Sequence, residues 1–330
     1  MALMRSFVLV AFGLLFCPII TEASSDWKPR PPLASTFSIV ALDPDTGELG
    51  VAVQSHWFSV GSLVPWAEYG VGAVATQSFV EVAYGPEGLR LMREGKSPKE
   101  ALDLLTRKDE QRAVRQVGII DASGRTAAWT GEGCITHAGH TTGKNFSAQG
   151  NLLASPEVWG AMAAAFEKDK GSLADRLLAA LDAGQSAGGD VRGMQSAAIL
   201  VVGQGEPGKP WTQKKIDLRV EDHSAPIEEL RRLVRMQTAY DLANEGDNLV
   251  GQKKFEAAFR AYDQALALDP ENDELMFWRG SMYMMAGKPE AALADVRRAV
   301  DLNPRWLKLL PHLGPDLFPG AAEILEKIGR

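Results

Sequence analysis

An internal repeat of 34 residues governs the C-terminal third of the sequence. Small residues and prolines return at this offset, in the pairs Gly246 and Gly280, Ala258 and Ala292, Ala265 and Ala299, and Pro270 and Pro304. Glycine and alanine let the two helices of one unit approach closely, and proline ends the second helix because it cannot continue the helical hydrogen bonds. Because each unit packs only against its neighbours, this part of the chain is restricted to stacked helix pairs.

The period and its small residues resemble the tetratricopeptide repeat, whose unit is a pair of antiparallel helices. We expect repeats at about 239–272 and 273–306 and a capping helix that extends to residue 330. The stretch Pro226 to Gln237 is expected to form an extra helix between this all-α part, residues 226–330, and the rest of the chain. The resemblance implies a protein or peptide partner on the concave face of the repeats.

The first 23 residues have the pattern of a secretory signal peptide. An apolar run from Phe7 to Ile20 is too short to span a bilayer, and Thr21 and Ala23 fit the cleavage site before residue 24. Residues 24–34 contain three prolines and are expected to be an extended linker or a removable propiece. We therefore expect a secreted or periplasmic protein with no membrane span once the signal is removed.

The composition narrows the classes of partner. Lys and Arg number 35 against 42 Asp and Glu, a net charge of −7, whereas nucleic-acid-binding domains carry a basic excess. We therefore expect no nucleic-acid partner. Once the signal is removed, Cys134 is the one remaining cysteine, so the mature chain forms no internal disulfide.

The region between residues 35 and 225 alternates groups of strands with pairs of helices. Apolar patterning predicts strands at 36–42, 49–54, 71–77, 116–121, 126–130 and 196–202, and helices at 86–93, from 98, at 156–167 and at 173–183. The start at residue 98 is indicated by Ser97, Pro98 and Glu100, which form a capping-box pattern. Grouped strands separated by helix pairs favour sheets with helices on their outer faces.

Several motifs in this region carry a resemblance to a known family. They are Thr36 to Ser55, Gly70 to Ser78, Tyr84 to Leu89, Ala138 to His140, Gln149 to Asn151, Ala187 to Ser196 and Leu218 to His223. With them the chain resembles a bacterial family of uncharacterised proteins assigned to the N-terminal-nucleophile (Ntn) hydrolase superfamily. The resemblance implies an α+β fold, a four-layer αββα sandwich over residues 35–225, followed here by the all-α tetratricopeptide domain.

The same resemblance implies a catalytic role for Thr36. In Ntn hydrolases the first residue of the mature chain is the nucleophile, and its own α-amine, with a pKa near ~8 against ~10.4 for lysine, is the general base. Cleavage before residue 24 leaves Thr36 inside the chain, so a second cut between Ser35 and Thr36 is required. Without that cut, Thr36 is an ordinary strand residue.

Polar residues at strand ends and in glycine-rich loops are the candidates to support Thr36. They are Gln77, His140, Asn151, Asp190, Arg192 and Gln195. Each is able to hydrogen-bond an amide substrate or its oxyanion. Turn capping is the alternative role for Asn151, Asp190 and Gln195.

Cys134, His137 and His140 form a C-x2-H-x2-H cluster that has two other interpretations. Three ligands and a water make a catalytic zinc site, but a spacing of three on an extended strand places neighbouring ligands on opposite faces. Cys134 is also a candidate thiol nucleophile, although buried cysteines are commonly inert. We expect no metal and no cofactor.

Two functions follow from these patterns. The first is an Ntn-type hydrolase of a small amide or peptide substrate, with Thr36 as the nucleophile. The second is a non-catalytic binding protein or scaffold that engages envelope proteins or peptides through the repeats. They differ in whether the working chain begins at Thr36.

Overall fold

The structure, a computed structural model, describes residues 33–34, 36–206 and 209–329, which belong to one compact unit. The predicted signal peptide, its cleavage point and residues 24–32 of the predicted linker lie outside the described residues. The described strands are β1 (Leu33–Ala34), β2 (Thr36–Leu42), β3 (Leu49–Ser55), β4 (Pro65–Glu68), β5 (Gly72–Phe79), β6 (Arg115–Asp121), β7 (Thr126–Thr130), β8 (Gly139–Gly143), β9 (Phe146–Gly150), β10 (Ser196–Val202) and β11 (Lys214–Val220). The described α-helices are α1 (Tyr84–Arg93), α2 (Pro98–Lys108), α3 (Val158–Lys168), α4 (Leu173–Ser186), α5 (Pro226–Gly251), α6 (Phe255–Leu268), α7 (Asp273–Met285), α8 (Pro289–Leu302), α9 (Trp306–Leu309) and α10 (Ala321–Ile328).

The strands form two antiparallel sheets. Sheet A has the order β1, β5, β6, β7, and β4 also pairs with β5. Sheet B has the order β11, β10, β3, β2, β9, β8, so that β2 lies in its middle. The N-terminal region is therefore a mixed α+β structure built on antiparallel sheets, and a helical region follows it.

Each sheet buries an outer face against helices. On sheet A, Val74 and Ile119 pack with residues of α1 and α2. On sheet B, Ile39 packs with Leu177 of α4 and Leu230 of α5 in a larger cluster. Alternate residues of one strand thus face helices, as the two-residue period of a strand requires.

The opposite faces of the two sheets share a third core. Val40 and Val51 of sheet B belong to one apolar cluster with Ala73 and Ile120 of sheet A. All four side chains are fully buried. Sheet A and sheet B therefore pack face to face.

Helix α2 begins at the residue that the capping-box pattern indicates. The Ser97 hydroxyl accepts a hydrogen bond from the Glu100 backbone N–H at 3.3 Å, and the Glu100 carboxylate accepts one from the Ser97 N–H at 2.8 Å. Two of the unpaired donors at the helix start are satisfied in this way.

Helix α5 joins the two regions without a break. The first half buries Ile227 and Leu230 in the core of sheet B, and the second half buries Ala239 and Ala243 in the core of the repeats. The sequence predicts a separate linking helix before the first repeat, whereas the structure has one helix of 26 residues, about 39 Å long. The two regions therefore share a rigid element.

The recurring glycines lie where the paired helices touch. A Cβ on Gly246 would lie 2.6 Å from the ring of Tyr262, and a Cβ on Gly280 would lie 2.7 Å from Val296. Both distances are too short for a side chain, so the close approach of α5 to α6 and of α7 to α8 requires glycine. After α8, the short α9 and the amphipathic α10 close the repeat core with the buried Ile324.

Among the described helices, none combines the length and the apolar character that crossing a bilayer requires. The longest of them, α5, carries charged residues along its length.

Candidate active site and repeat groove

The core between the two sheets changes from apolar to polar along its length. One end holds the valines and isoleucine described above, and the other end holds buried hydroxyl and amide side chains. These are Thr36, Ser38, Ser55, Gln77, Gln116, Ser147, Gln149 and Asn151, all fully buried. Buried polar groups are costly unless they are hydrogen-bonded, so a cluster of this size marks a candidate functional site.

Thr36 is the first residue of β2 and lies inside this polar cluster. Its hydroxyl donates to Ser55 Oγ at 3.2 Å, across the β2–β3 ladder. Its carbonyl oxygen accepts from Gln77 Nε2 at 3.2 Å and from the Asn151 backbone N–H at 3.0 Å. The structure therefore brings together three of the residues that the sequence indicates: Thr36, Gln77 and Asn151.

Gln116 is the centre of the cluster, although the sequence did not indicate it. Its Oε1 accepts from Gln77 Nε2 at 2.7 Å and from Asn151 Nδ2 at 2.9 Å. Its Nε2 lies within hydrogen-bond distance of Thr130 Oγ1 (2.9 Å), the Gly139 carbonyl (3.1 Å) and the Gly150 carbonyl (2.8 Å). Gln116 therefore holds the two amide side chains next to Thr36 in position.

A second layer of amides and hydroxyls lies beside Gln77. The Ser38 hydroxyl donates to Gln77 Oε1 at 2.5 Å and accepts from Gln149 Nε2 at 2.7 Å. A Cβ on Gly118 would lie 2.2 Å from Gln149 Oε1, so glycine at this position in β6 leaves room for the Gln149 side chain. Sheet A and sheet B are thus joined by polar contacts at this end.

His140 lies at the edge of the cluster rather than beside Thr36. Its Nδ1 is 2.8 Å from Thr130 Oγ1, and that hydroxyl also accepts from Gln116. Burial lowers the pKa of the imidazole, which favours its neutral form. His140 therefore orients Thr130, which in turn hydrogen-bonds with Gln116.

Cys134 and the two histidines near it do not form a metal centre in the described part of the chain, where no group of three or more His, Cys, Asp or Glu side chains is placed to hold a metal ion. The Cys134 thiol donates to the Arg115 carbonyl at 3.3 Å, and burial raises its pKa. A thiol with a raised pKa is a poor nucleophile at neutral pH.

Asp190 and Arg192 form an ion pair on the loop between α4 and β10. Arg192 Nη2 lies 2.7 Å from Asp190 Oδ2, and the same oxygen accepts from the His56 backbone N–H at 3.3 Å. The buried Asp190 therefore fixes the turn that follows Ser55. Gln195 differs, because its side chain donates to Asp222 at 3.1 Å, on the loop between β11 and α5.

One buried polar atom of the cluster, Asn151 Oδ1, has no hydrogen-bond partner among the described residues. The side chain of the nearby Ser78 hydrogen-bonds with the Cys134 thiol. Ser78 pairs with Ala34 of β1, so it lies beside the chain that precedes Thr36. An unsatisfied acceptor at Asn151 is consistent with a site that receives a further donor.

An open cleft lies on the far side of Gln116. Its volume is about 550 Å³, and its walls include Thr130, Cys134, His137, His140 and Trp159. Thr130 belongs both to this cleft and to the Gln116 network. The cleft therefore borders the polar cluster at Thr130.

The repeats carry a separate groove of about 600 Å³ on the side of α5 and α7. Its apolar wall consists of Val250, Trp278, Met282, Met285 and Leu317, and the rest of the lining is Asp247, Gly251, Ser281 and Asp316. Leu317 is 58% exposed, and its carbonyl accepts a hydrogen bond from Ser281 Oγ. The C-terminal segment thus forms one end of the groove.

Comparison with known proteins identifies both regions. A model of a family of unknown function, DUF1028, matches residues 36–230. The chain belongs to this family. A solved structure supports the assignment: the crystal structure of protein SPO2555 from Silicibacter pomeroyi, described as DUF1028, is similar with 35% identity and a TM-score of 0.57, over 62% of this chain and 87% of that one. The polar cluster around Thr36 lies within the DUF1028 region.

The helical region that follows the DUF1028 domain matches a tetratricopeptide-repeat model over residues 244–305. A STIP1 homolog from Dictyostelium discoideum is 35% identical over 72 residues, 22% of this chain and 13% of that protein. A heat-shock protein cognate co-chaperone, sgt12, from Aspergillus fumigatus is 31% identical over 91 residues, 26% of this chain and 27% of that protein. The chain thus spans about a quarter or less of these relatives.

Proposed function

We propose that this protein is a DUF1028 domain that is brought to a protein partner by its tetratricopeptide repeats, in a secreted or periplasmic compartment. The observation that carries the proposal is the groove along α5 and α7, which lies within the repeats and remains open. The similarity of this segment to repeat segments of co-chaperones supports a role in protein interaction. The partner-binding role does not require chemistry at Thr36.

A phenylalanine in place of Gly251 is expected to block the groove. Gly251 lines it, lies at the C-terminal end of α5, and has no atom within 4 Å of the position that a Cβ would take. The new ring therefore fills groove space without disturbing the core. We expect Gly251→Phe to bind an array of short random peptides about tenfold more weakly than the wild-type chain, a change of about 1.4 kcal/mol.

Gly160→Phe is the matched control for this measurement. Gly160 is also an exposed helical glycine with open space around its Cβ, but it lies in α3 of the DUF1028 domain. Peptide binding should survive in this variant. Equal binding by Gly251→Phe and Gly160→Phe would show that the groove is not the interaction surface.

A second function is favoured by the position of Thr36. We propose that the DUF1028 region is an Ntn-like αββα sandwich in which Thr36 becomes an N-terminal nucleophile after cleavage of the Ser35–Thr36 bond. Three observations support it: the sheets pack face to face with helices on their outer faces, Thr36 begins a central strand among buried amides, and the family match begins at Thr36.

The chemistry of this second function is acyl transfer. The released α-amine takes the proton of the Thr36 hydroxyl as the oxygen adds to the carbonyl of a small amide or peptide, and it then gives the proton to the leaving amine. Water hydrolyses the resulting ester and restores the hydroxyl. The Asn151 amide, which uses one N–H to donate to Gln116 Oε1, is proposed to stabilise the oxyanion with its second N–H. Gln77 donates to the Thr36 carbonyl and to Gln116, and is proposed to position the nucleophile.

The N-terminal residue of the mature protein tests this mechanism. Intact mass and terminal sequencing of protein recovered from its native compartment are expected to give a chain that starts at Thr36. If the cleavage is autocatalytic, Thr36→Ala retains the residues before position 36 and has no amidase activity, whereas Thr36→Ser is processed.

Thr142→Ala is the control, because Thr142 is an exposed threonine on β8 outside the polar cluster. It should be processed like the wild-type chain. A mature protein that begins at or near residue 24 would leave the Thr36 nitrogen as an amide, and the hydrolase mechanism would then be wrong.

A further inference from the structure

We infer that the repeat groove selects an extended segment in which apolar side chains alternate with lysine or arginine. This inference rests on the proposed partner-binding function and specifies the chemistry of the partner. Its basis is the charge of the groove lining, in which the charged side chains are all acidic.

The groove lining contains two carboxylates and no cation. Asp247 lies on α5 at one side, and Asp316 lies on the segment after α9 at the other, with the apolar wall between them. Both aspartates are exposed. A ligand that places apolar groups against Trp278 and Met285 therefore brings its neighbouring residues close to negative charge, which favours cations and repels acids.

The sequence around Asp247 extends this acidic character. Between residues 236 and 252 there are three acidic residues, Asp241, Glu245 and Asp247, and no lysine or arginine. The segment that carries Asp316, residues 313–320, likewise has no basic residue. The basic residues nearest to residues 236–252 along the chain are Arg235 before this stretch and Lys253 and Lys254 after it, and none of them is part of the groove lining.

Two basic side chains of the repeats are engaged in ion pairs outside the groove. Arg279 pairs with Asp295 at 2.7 Å and with Asp263 at 2.6 Å, on the side of α6 and α8. Lys288 pairs with Glu256 at 3.2 Å and lies over the ring of Phe259. Neither is part of the groove lining.

Asp247 is also held in place. Its Oδ1 accepts a hydrogen bond from the Tyr262 hydroxyl at 2.7 Å, and burial together with this bond raises the pKa of Tyr262. The carboxylate is therefore positioned by the fold and not only by the ligand. An asparagine at this position retains an acceptor for Tyr262 but removes the charge.

The test uses the full-length protein on an array of short random peptides. Bound peptides are expected to be enriched in Lys and Arg next to Leu, Met or Phe, and binding should weaken as salt increases. The double variant Asp247→Asn, Asp316→Asn should bind the same peptides about three- to tenfold more weakly. The control Asp45→Asn, Glu167→Gln removes two exposed charges from the DUF1028 domain and should bind like the wild type.

The outcomes separate this inference from the function it rests on. Suppose that Gly251→Phe loses binding, but that the peptides bound by the wild-type chain are enriched in Asp and Glu or show no preference of charge. The groove is then an interaction surface, and the inferred chemistry is wrong. If no peptide binding depends on Gly251, both the inference and the partner-binding function are overturned.

Discussion

Replacing Gln116 by leucine is expected to lower the free energy of unfolding by about 3–5 kcal/mol. Leucine fills a similar volume but removes an acceptor used by the amides of Gln77 and Asn151 and a donor shared among three oxygens. Because the site is fully buried, water does not replace these partners. Each buried donor or acceptor that is left without a partner costs about 1–3 kcal/mol, and local rearrangement of the structure recovers only part of this cost.

Urea unfolding followed by circular dichroism, with amide exchange in β5 and β6, measures this loss. Gln252→Leu is the control, because Gln252 is exposed at the end of α5, and its effect should stay within about 0.5 kcal/mol. Similar unfolding midpoints for the two variants would mean that Gln116 is not the centre of the buried network.

The Gln116 variant also bears on the Thr36 mechanism. Gln77 donates to the carbonyl of Thr36 and is itself held by Gln116. In the proposed hydrolase, Gln116→Leu should therefore reduce kcat even in the fraction that remains folded. Gln116 contacts neither the substrate carbonyl nor the nucleophile in this scheme, so it is a positioning residue.

The sequence predicted the elements whose signals are local. Strands at Thr36–Leu42, Thr126–Thr130 and Ser196–Val202 have the predicted bounds, because their own residues carry the apolar pattern. Helix α2 starts at Pro98 because its capping residues are adjacent in the chain. The repeat was visible because the same helix contacts recur every 34 residues.

Five strands were missed: β1, β4, β8, β9 and β11. Strand β11 does alternate Ile216, Leu218 and Val220 with charged residues, so its local signal was present. The other four lack such a signal. Strand β9 shows why: it carries Ser147 and Gln149 on the inner face, where an apolar pattern would be expected. Its pairing with β2 and β8 makes it a strand, and that information lies far away in the sequence.

The candidate site was predictable only in part for a similar reason. Thr36, Gln77 and Asn151 were named from the motifs, and the structure brings them together. Gln116 and Gln149 were not chosen as candidate site residues, because their role depends on how sheet A and sheet B pack face to face. The sequence did contain one usable signal. Gln116 is a polar residue in the apolar strand β6, two residues before Gly118 and therefore on the same face of the strand, and such a residue indicates a buried polar site.

Phe277→Ala is expected to lower the stability of the repeats by about 3–4 kcal/mol. The Phe277 ring is fully buried and stacks on Trp306 with centroids 4.3 Å apart. It also lies 5.4 Å from the ring of Phe318 and 5.3 Å from that of Trp278. The alanine leaves a cavity that three rigid rings do not fill.

The control is Phe58→Ala, since Phe58 is 63% exposed and its removal leaves no cavity. Urea unfolding should separate the two variants clearly. Equal midpoints would contradict the role of Phe277 as an anchor of the repeat core.

The part of the structure that loses stability in Phe277→Ala is as informative as the size of the loss. Trp306 and Phe318 belong to the segment that closes the repeats, so their release should accelerate amide exchange in α9 and α10 first. Strands β2 and β3 belong to other apolar clusters and should keep their exchange rates. Exchange that rises equally in β2 and α10 would instead mean that helix α5 makes the two regions unfold as one unit, and that the repeats have no separate stability.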